Sequence, residues 1–196
     1  MSREYRNMEL RIIPPENGEP SYIVEGHAAT FEPYTLYEKD GVQYKEQILP
    51  TAFDGADLSD VVFRVDHVGR VYARSSAGTV SVWPDEIGLA NRTILSKTQK
   101  AREVFADIEA GNYSQMSFAF TVAEDHYDRA THTRIIDRIA KVFDVSPVSF
   151  PANPNTDLYV ATRDYFNGVI EMEKAERLER ERRERQIKKI KLMSEV

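Results

Sequence analysis

The stretch Ser114–Val122, SQMSFAFTV, constrains this chain more than any other. Met116, Phe118, Phe120 and Val122 alternate with Ser117, Ala119 and Thr121, a period of two that predicts a strand with one large apolar face. Directly before it, SKTQKAREVFADIEAGN sets Ala101, Val104, Phe105 and Ile108 in one apolar stripe at helical spacing. Ser96 followed by Gln99 has the form of a capping box, and Gly111 stands where a helix stops. A helix therefore feeds a strand whose second face carries Ser117. That serine has two readings: a small residue on a packed strand, or a nucleophile fixed on a rigid element.

The rest of the body reads as strands and turns. MELRIIP and YIVEGHAATF flank the turn-rich PENGEP, which predicts a hairpin or meander. Thr51 precedes a short apolar turn and is placed to cap a brief helix. Residues 61–95 read as several strands, with SSAG and PDEIG as the turns between them. DRAT reads as a hairpin tip, and RIIDRIAKVFDVSPVSF as a long strand-rich segment ended by PANP. No internal repeat is present.

The character changes near Tyr165. Residues 171–196 hold nine Lys or Arg against seven Glu, a net +2 that leaves −8 on the remainder of a chain whose total is −6. Interleaved charges of both signs predict an exposed helix, and its apolar residues are too sparse for a heptad seam. The division expected is a body over 1–164 and a charged helical tail over 165–196. The tail is either a solvated helix or a detachable docking segment.

Composition narrows the function classes. With 41% hydrophobic and 30% charged residues, the 196-residue chain can bury a sizeable core. The acidic body argues against direct nucleic-acid binding, which needs clustered Lys and Arg. The first twenty residues lack an apolar core of signal-peptide length, and no stretch approaches a membrane span, so a soluble protein made in the cytosol is expected. The chain has no cysteine, which excludes disulfides, thiolate metal sites and a cysteine nucleophile. With no Gly-rich phosphate loop and no zinc-type His/Glu spacing, no cofactor or metal is expected.

Four histidines offer base chemistry. His126 and His132 flank the DRAT tip in polar company and read as surface residues. His27 in VEGHAATF reads as a satisfied strand histidine. His67 ends VVFRVDH on the parity of Val61, Phe63 and Val65, which directs it to an apolar environment at a strand end. It is either a core histidine or a general base. Asp66, its neighbour, should point the opposite way. A serine nucleophile needs such a base and a third group to orient it. Asp144, between Phe143 and Val145, is an acid in an apolar run, where an unpaired carboxylate is costly. Its partner is either the base or a structural arginine.

The ordered set GHAATFEPY, KEQILPTAFDGAD, VVFRVDHVGR, SSAGTVSVWPDEIGLANRTIL, AREVFADIEAGNYSQMSFAFTV and VFDVSPVSFPANPNT resembles the prohead (capsid maturation) proteases of tailed bacteriophages, over roughly residues 10–163. That family is similar, at a distance, to the herpesvirus capsid protease assemblin. The resemblance implies an α+β, β-rich fold: an antiparallel barrel-like core flanked by helices, with the charged tail appended. It implies a serine endopeptidase with Ser117 as nucleophile, His67 as base and Asp144 as third member. Backbone N–H groups would stabilise the oxyanion, with Arg64 and Arg70 near His67 as further candidates. The implied substrates and partners are the major capsid protein precursor, the scaffold protein and the protease itself, inside the immature shell in the host cytoplasm, and a homodimer is compatible with it. Two positions depart from the pattern: VDHVGR stands where many relatives carry Asn-His-Asp, and Ala119 where glycine is frequent. They keep a second reading open, a non-catalytic scaffold or capsid-interaction module on the same fold.

Overall fold

A computed structural model describes residues 10–13, 22–149 and 157–194, with side chains from 157 to 164 and from 191 onward left aside. The chain divides into two compact units, residues 1–152 and 153–196. The PENGEP turn and the PANP end of the last strand lie outside the described residues.

Among its described residues the first unit holds ten strands and one α-helix. In order these are β1 (Arg11–Ile12), β2 (Ile23–Thr30), β3 (Tyr34–Lys39), β4 (Val42–Ile48), β5 (Val62–Val65), β6 (Val68–Arg74), β7 (Val80–Pro84), β8 (Gly88–Ile94), α1 (Gln99–Glu109), β9 (Gln115–Asp128) and β10 (Thr133–Val148). One sheet is antiparallel in the order β1-β2-β8-β7. The second runs β3-β4-β10-β5-β6, with β9 also on β10.

The second sheet departs from the antiparallel barrel that the resemblance implies. β10 pairs with β9 antiparallel along its length, while its other edge takes β4 and then β5 in tandem, both parallel. One long strand thus serves three neighbours, and the sheet branches instead of closing. The fold is α+β and strand-rich, with two open sheets around a shared core. That core joins Val24 and Leu89 of the first sheet to Ile48, Phe63, Phe118, Val142 and Val145 of the second. Burying each such side chain contributes about 1.5–3 kcal/mol.

β4 and β5 follow one another along one edge of β10, and residues 49–61 carry the chain forward beside that strand, with Asp57 bridging Lys141 in parallel. They include a 3-10 turn, Pro50–Phe53, whose Ala52 and Phe53 enter the core. Thr51 does not cap this turn as expected; Leu49 holds the cap position without a side-chain bond, and Pro50 at the start needs no donor partner. Gly88 lets β8 approach β2, since a Cβ there would lie 1.9 Å from the Ala29 carbonyl oxygen.

Helix α1 forms where the apolar stripe predicts, with Ala101, Val104 and Ile108 buried and Phe105 edge-on to Tyr22 at 5.2 Å. Its cap is Thr98, whose Oγ1 accepts the Ala101 N–H at 3.3 Å, and not Ser96. Ser96 lies two residues too early to reach the first turn and meets the Thr98 hydroxyl at 3.2 Å. At the other end Gly111 has φ +78°, a left-handed stop that favours glycine. Asn112 N–H then reaches back to the Asp107 carbonyl at 2.9 Å.

The second unit is dominated by α2 (Asp157–Ser194), 38 residues and about 57 Å long at 1.5 Å per residue. Its described surface is exposed from Lys174 onward, and i, i+4 pairs such as Glu179–Arg183 run along it. Among the described residues no helix is long and apolar enough to cross a membrane.

Candidate active site

The β9–β10 ladder sets the geometry. Ser117 faces Ser146 and Ala119 faces Asp144 across it, while Asp144 faces Val62 on β5. Directly opposed residues share a face, and residues two apart share it too. Ser117, Asp144, Ser146 and Arg64 therefore line one face of three adjacent strands. Met116, Phe118, Val145 and Phe63 line the other, and all four are buried in the core. The alternation read in SQMSFAFTV holds: the apolar face anchors the strand and presents Ser117 on the opposite side.

Asp144 is 3% exposed yet fully engaged. Its Oδ1 lies 2.7 Å from His67 Nδ1 and accepts the Ser146 hydroxyl at 2.8 Å. Its Oδ2 lies 3.7 Å from Arg64 Nε. The two expected partners, base and arginine, thus both meet this carboxylate. Three polar groups on one buried acid remove the cost of leaving its charge unpaired.

His67 is where the sequence reading needs correcting. It is not the end of a strand on the parity of Phe63 and Val65. Strand β5 stops at Val65, which pairs with Val68, so Asp66 and His67 form a two-residue hairpin turn. Both have positive φ, +49° and +59°, the left-handed pattern of a type I′ turn. That turn folds the imidazole back over the Asp144 face. Strand parity does not extend into a left-handed turn, and neither residue is the glycine that would have announced it.

With Nδ1 committed to Asp144, the His67 Nε2 is left for other work. The Ser117 hydroxyl has no hydrogen-bond partner among the described residues. Arg64, a candidate oxyanion donor, donates from Nη1 to the His67 carbonyl at 3.3 Å, while its buried Nε makes no hydrogen bond and stands 3.7 Å from Asp144 Oδ2. Arg70 lies on the exposed part of β6, and no hydrogen bond joins it to this cluster. Ser146 was not singled out from the sequence. The spacing Asp144-Val145-Ser146 in a strand carried the signal, because it places both polar side chains on one face.

The other histidines take structural partners. His27 Nε2 meets Asp85 Oδ2 at 2.7 Å, His126 Nδ1 meets Asp137 Oδ2 at 2.6 Å, and His132 Nδ1 meets the Tyr127 hydroxyl at 3.1 Å. Among the described residues no group of three His, Cys, Asp or Glu is arranged to hold a metal ion.

A strand-rich α+β body thus carries a histidine–carboxylate pair and, on the same strand face as that carboxylate, a serine. In the comparison with protein families, the caudovirus prohead serine proteases match residues 7–169, and the chain belongs to that family. It is thus a member of a serine peptidase family of phage capsid maturation. No curated protein and no solved structure matches the chain significantly.

Proposed function

We propose that this protein is a serine endopeptidase that trims the capsid precursor and scaffold proteins, and itself, during prohead maturation, with Ser117, His67 and Asp144 as its catalytic residues. The 2.7 Å contact between His67 Nδ1 and the buried Asp144, on the strand face that also carries Ser117, is the observation that supports this most. Family membership supports the reaction class and the setting inside the immature capsid in the host cytoplasm.

In this reading the Asp144 carboxylate accepts Nδ1–H and holds the tautomer with Nε2 free. Ser117 Oγ attacks the scissile carbonyl carbon while His67 Nε2 takes its proton. The imidazolium, stabilised by Asp144, then passes that proton to the departing amine, and water releases the acyl group by the same route. Arg64, at 3.7 Å from Asp144, shares that carboxylate's charge. The oxyanion would be met by backbone N–H groups, and losing one such donor costs about 100- to 1,000-fold in turnover.

The charged segment from 165 onward would deliver the enzyme into the shell by docking on the scaffold. Deleting residues 165–196 should leave the peptidase active but lower its packaging. Unchanged packaging would remove this role.

Co-expression with the capsid precursor of the same phage tests the whole reading. Intact mass of the capsid protein should show N-terminal trimming with the native chain and none with Ser117→Ala. Trimming by both would exclude Ser117 as nucleophile. Trimming by neither, with shells assembled, would favour a non-catalytic capsid module.

A further inference from the structure

The turn that carries His67 is costly. Asp66 and His67 are consecutive non-glycine residues in the left-handed region, each held against a steric penalty of about 1 kcal/mol. Such backbone persists only where its surroundings hold it. Here the hold is specific. Asp66 N–H donates to the Pro147 carbonyl at 3.0 Å. Asp66 Oδ1 accepts the Ser149 N–H at 2.8 Å, and Oδ2 accepts the Ser149 hydroxyl at 2.9 Å. One side chain thus grips backbone and side chain of the residue just past β10. Asp144 sits five residues upstream on that strand.

We propose that Asp66 is a positioning residue: its two-oxygen clamp on Ser149 docks the hairpin tip onto the end of β10 and so fixes the His67 ring against Asp144. The inference rests on the catalytic reading above for its consequence, but its geometry concerns only the His67–Asp144 pair. The clamp is distinct from the contacts that hold Asp144, which come from Ser146 and Arg64. Without it, the tip is tied to β10 by the Asp66 N–H bond and by the imidazole itself.

Asp66→Gly isolates the clamp. Glycine adopts the left-handed conformation without penalty, so the turn itself is relieved while the grip on Ser149 is lost. Asp66→Asn is the rescue variant. Its amide still accepts the Ser149 N–H through oxygen and can donate through nitrogen to the hydroxyl, and asparagine tolerates positive φ. Two readouts apply to the full-length chain. One is the labelling rate of Ser117 by a fluorophosphonate. The other is the low-field ring Nδ1–H proton of His67 in ¹⁵N-histidine-labelled protein, assigned by its absence in His67→Ala.

In Asp66→Gly, labelling should slow about 10- to 100-fold, as expected when a base is displaced by an ångström or so, and the low-field proton should broaden or vanish. Asp66→Asn should keep the signal and stay within about threefold of the native rate. A native rate and signal in Asp66→Gly would overturn the proposal, and so would equal loss in Asp66→Asn. Should Asp66→Gly fail to fold, Ser149→Ala removes the side-chain half of the clamp alone. It should weaken the signal and slow labelling by about threefold, and no change in either would overturn the proposal. If the native protein is not labelled at all, yet the low-field proton is present and is lost in Asp66→Gly, the positioning role stands and the hydrolase reading falls.

Discussion

Two histidine–aspartate pairs of equal length sit on the two sheets in different surroundings. His27–Asp85 on the first sheet and His67–Asp144 on the second both close to 2.7 Å. His27 and Asp85 even line a cavity of about 750 Å³, together with Trp83, Tyr34 and Ile87. Yet Asp85 is occupied with its own turn. Its Oδ1 accepts the Ile87 and Gly88 N–H groups at 2.8 and 3.0 Å, pinning the β7–β8 connection. Burial works against its charge, but hydrogen bonds from Gly88, His27 and Ile87 outweigh it and lower its pKa. His27 spends Nε2 on that carboxylate, whereas His67 spends Nδ1. The Asp85 side chain is 32% exposed, against 4% for Asp144. A short contact and a hollow do not make a catalytic pair. A buried acid, a free Nε2 and a serine on the same face distinguish the second site.

The comparison can be broken most sharply by neutralising each acid. Asp144→Asn should lower peptidase turnover about 1,000- to 10,000-fold, because the amide favours the wrong imidazole tautomer. Asp85→Asn should leave turnover unchanged and reduce the melting temperature only. Similar turnover losses in both, measured on one capsid-derived peptide, would erase the distinction.

Ser146 sharpens it further. Ser146→Ala removes a buried donor to Asp144 and should cost about 1.5–3 kcal/mol of stability, the range for a hydrogen bond to a charged group. Turnover should fall about tenfold as the carboxylate gains freedom. Chemical denaturation and steady-state rates on the same samples check both numbers, and an unchanged turnover would remove Ser146 from the support of Asp144.

The smallest expected effect is electrostatic and lies away from both pairs. Asp57 is held well below the usual carboxylate range, chiefly by its hydrogen bond from Lys141 and then by those from Ser59. Its Oδ2 meets Lys141 Nζ at 2.8 Å, and its backbone bonds to Ala140 and Val142, tying the β4–β5 connection to β10. A carboxylate with a lowered folded-state pKa stabilises above its unfolded value, about pH 4, and that contribution is lost as pH falls below it. Melting temperature of Asp57→Asn should therefore be slightly reduced at neutral pH and converge with the native protein in acid. A constant offset down to pH 2 would contradict this.

Much of the scaffold was legible from residue order alone. Alternation exposed the first part of β9, a long strand-rich segment marked β10, the DRAT tip fell between them, and the apolar stripe ended by Gly111 marked α1. The three proposed catalytic residues were also nameable, Asp144 from an acid in an apolar run and Ser117 from the odd face of its strand. Turn chemistry was less visible. A left-handed Asp-His pair carries no glycine, so His67 read as a strand residue, and Thr98 was passed over for Ser96 because caps depend on the residue at which φ and ψ turn helical.

What residue order determined by itself was local: period, stops, charge segregation, and which strand face each polar group occupies. Long-range pairing was decided only by the tertiary structure. β10 takes β4 and β5 in parallel on one edge and β9 on the other. That arrangement opened the sheet instead of closing a barrel, and it set Ser117, Asp144 and the His67 turn on neighbouring strands. The Asp66–Ser149 clamp spans 83 residues of sequence. No local pattern encodes such a contact, because its geometry exists only once the strands between have found their partners.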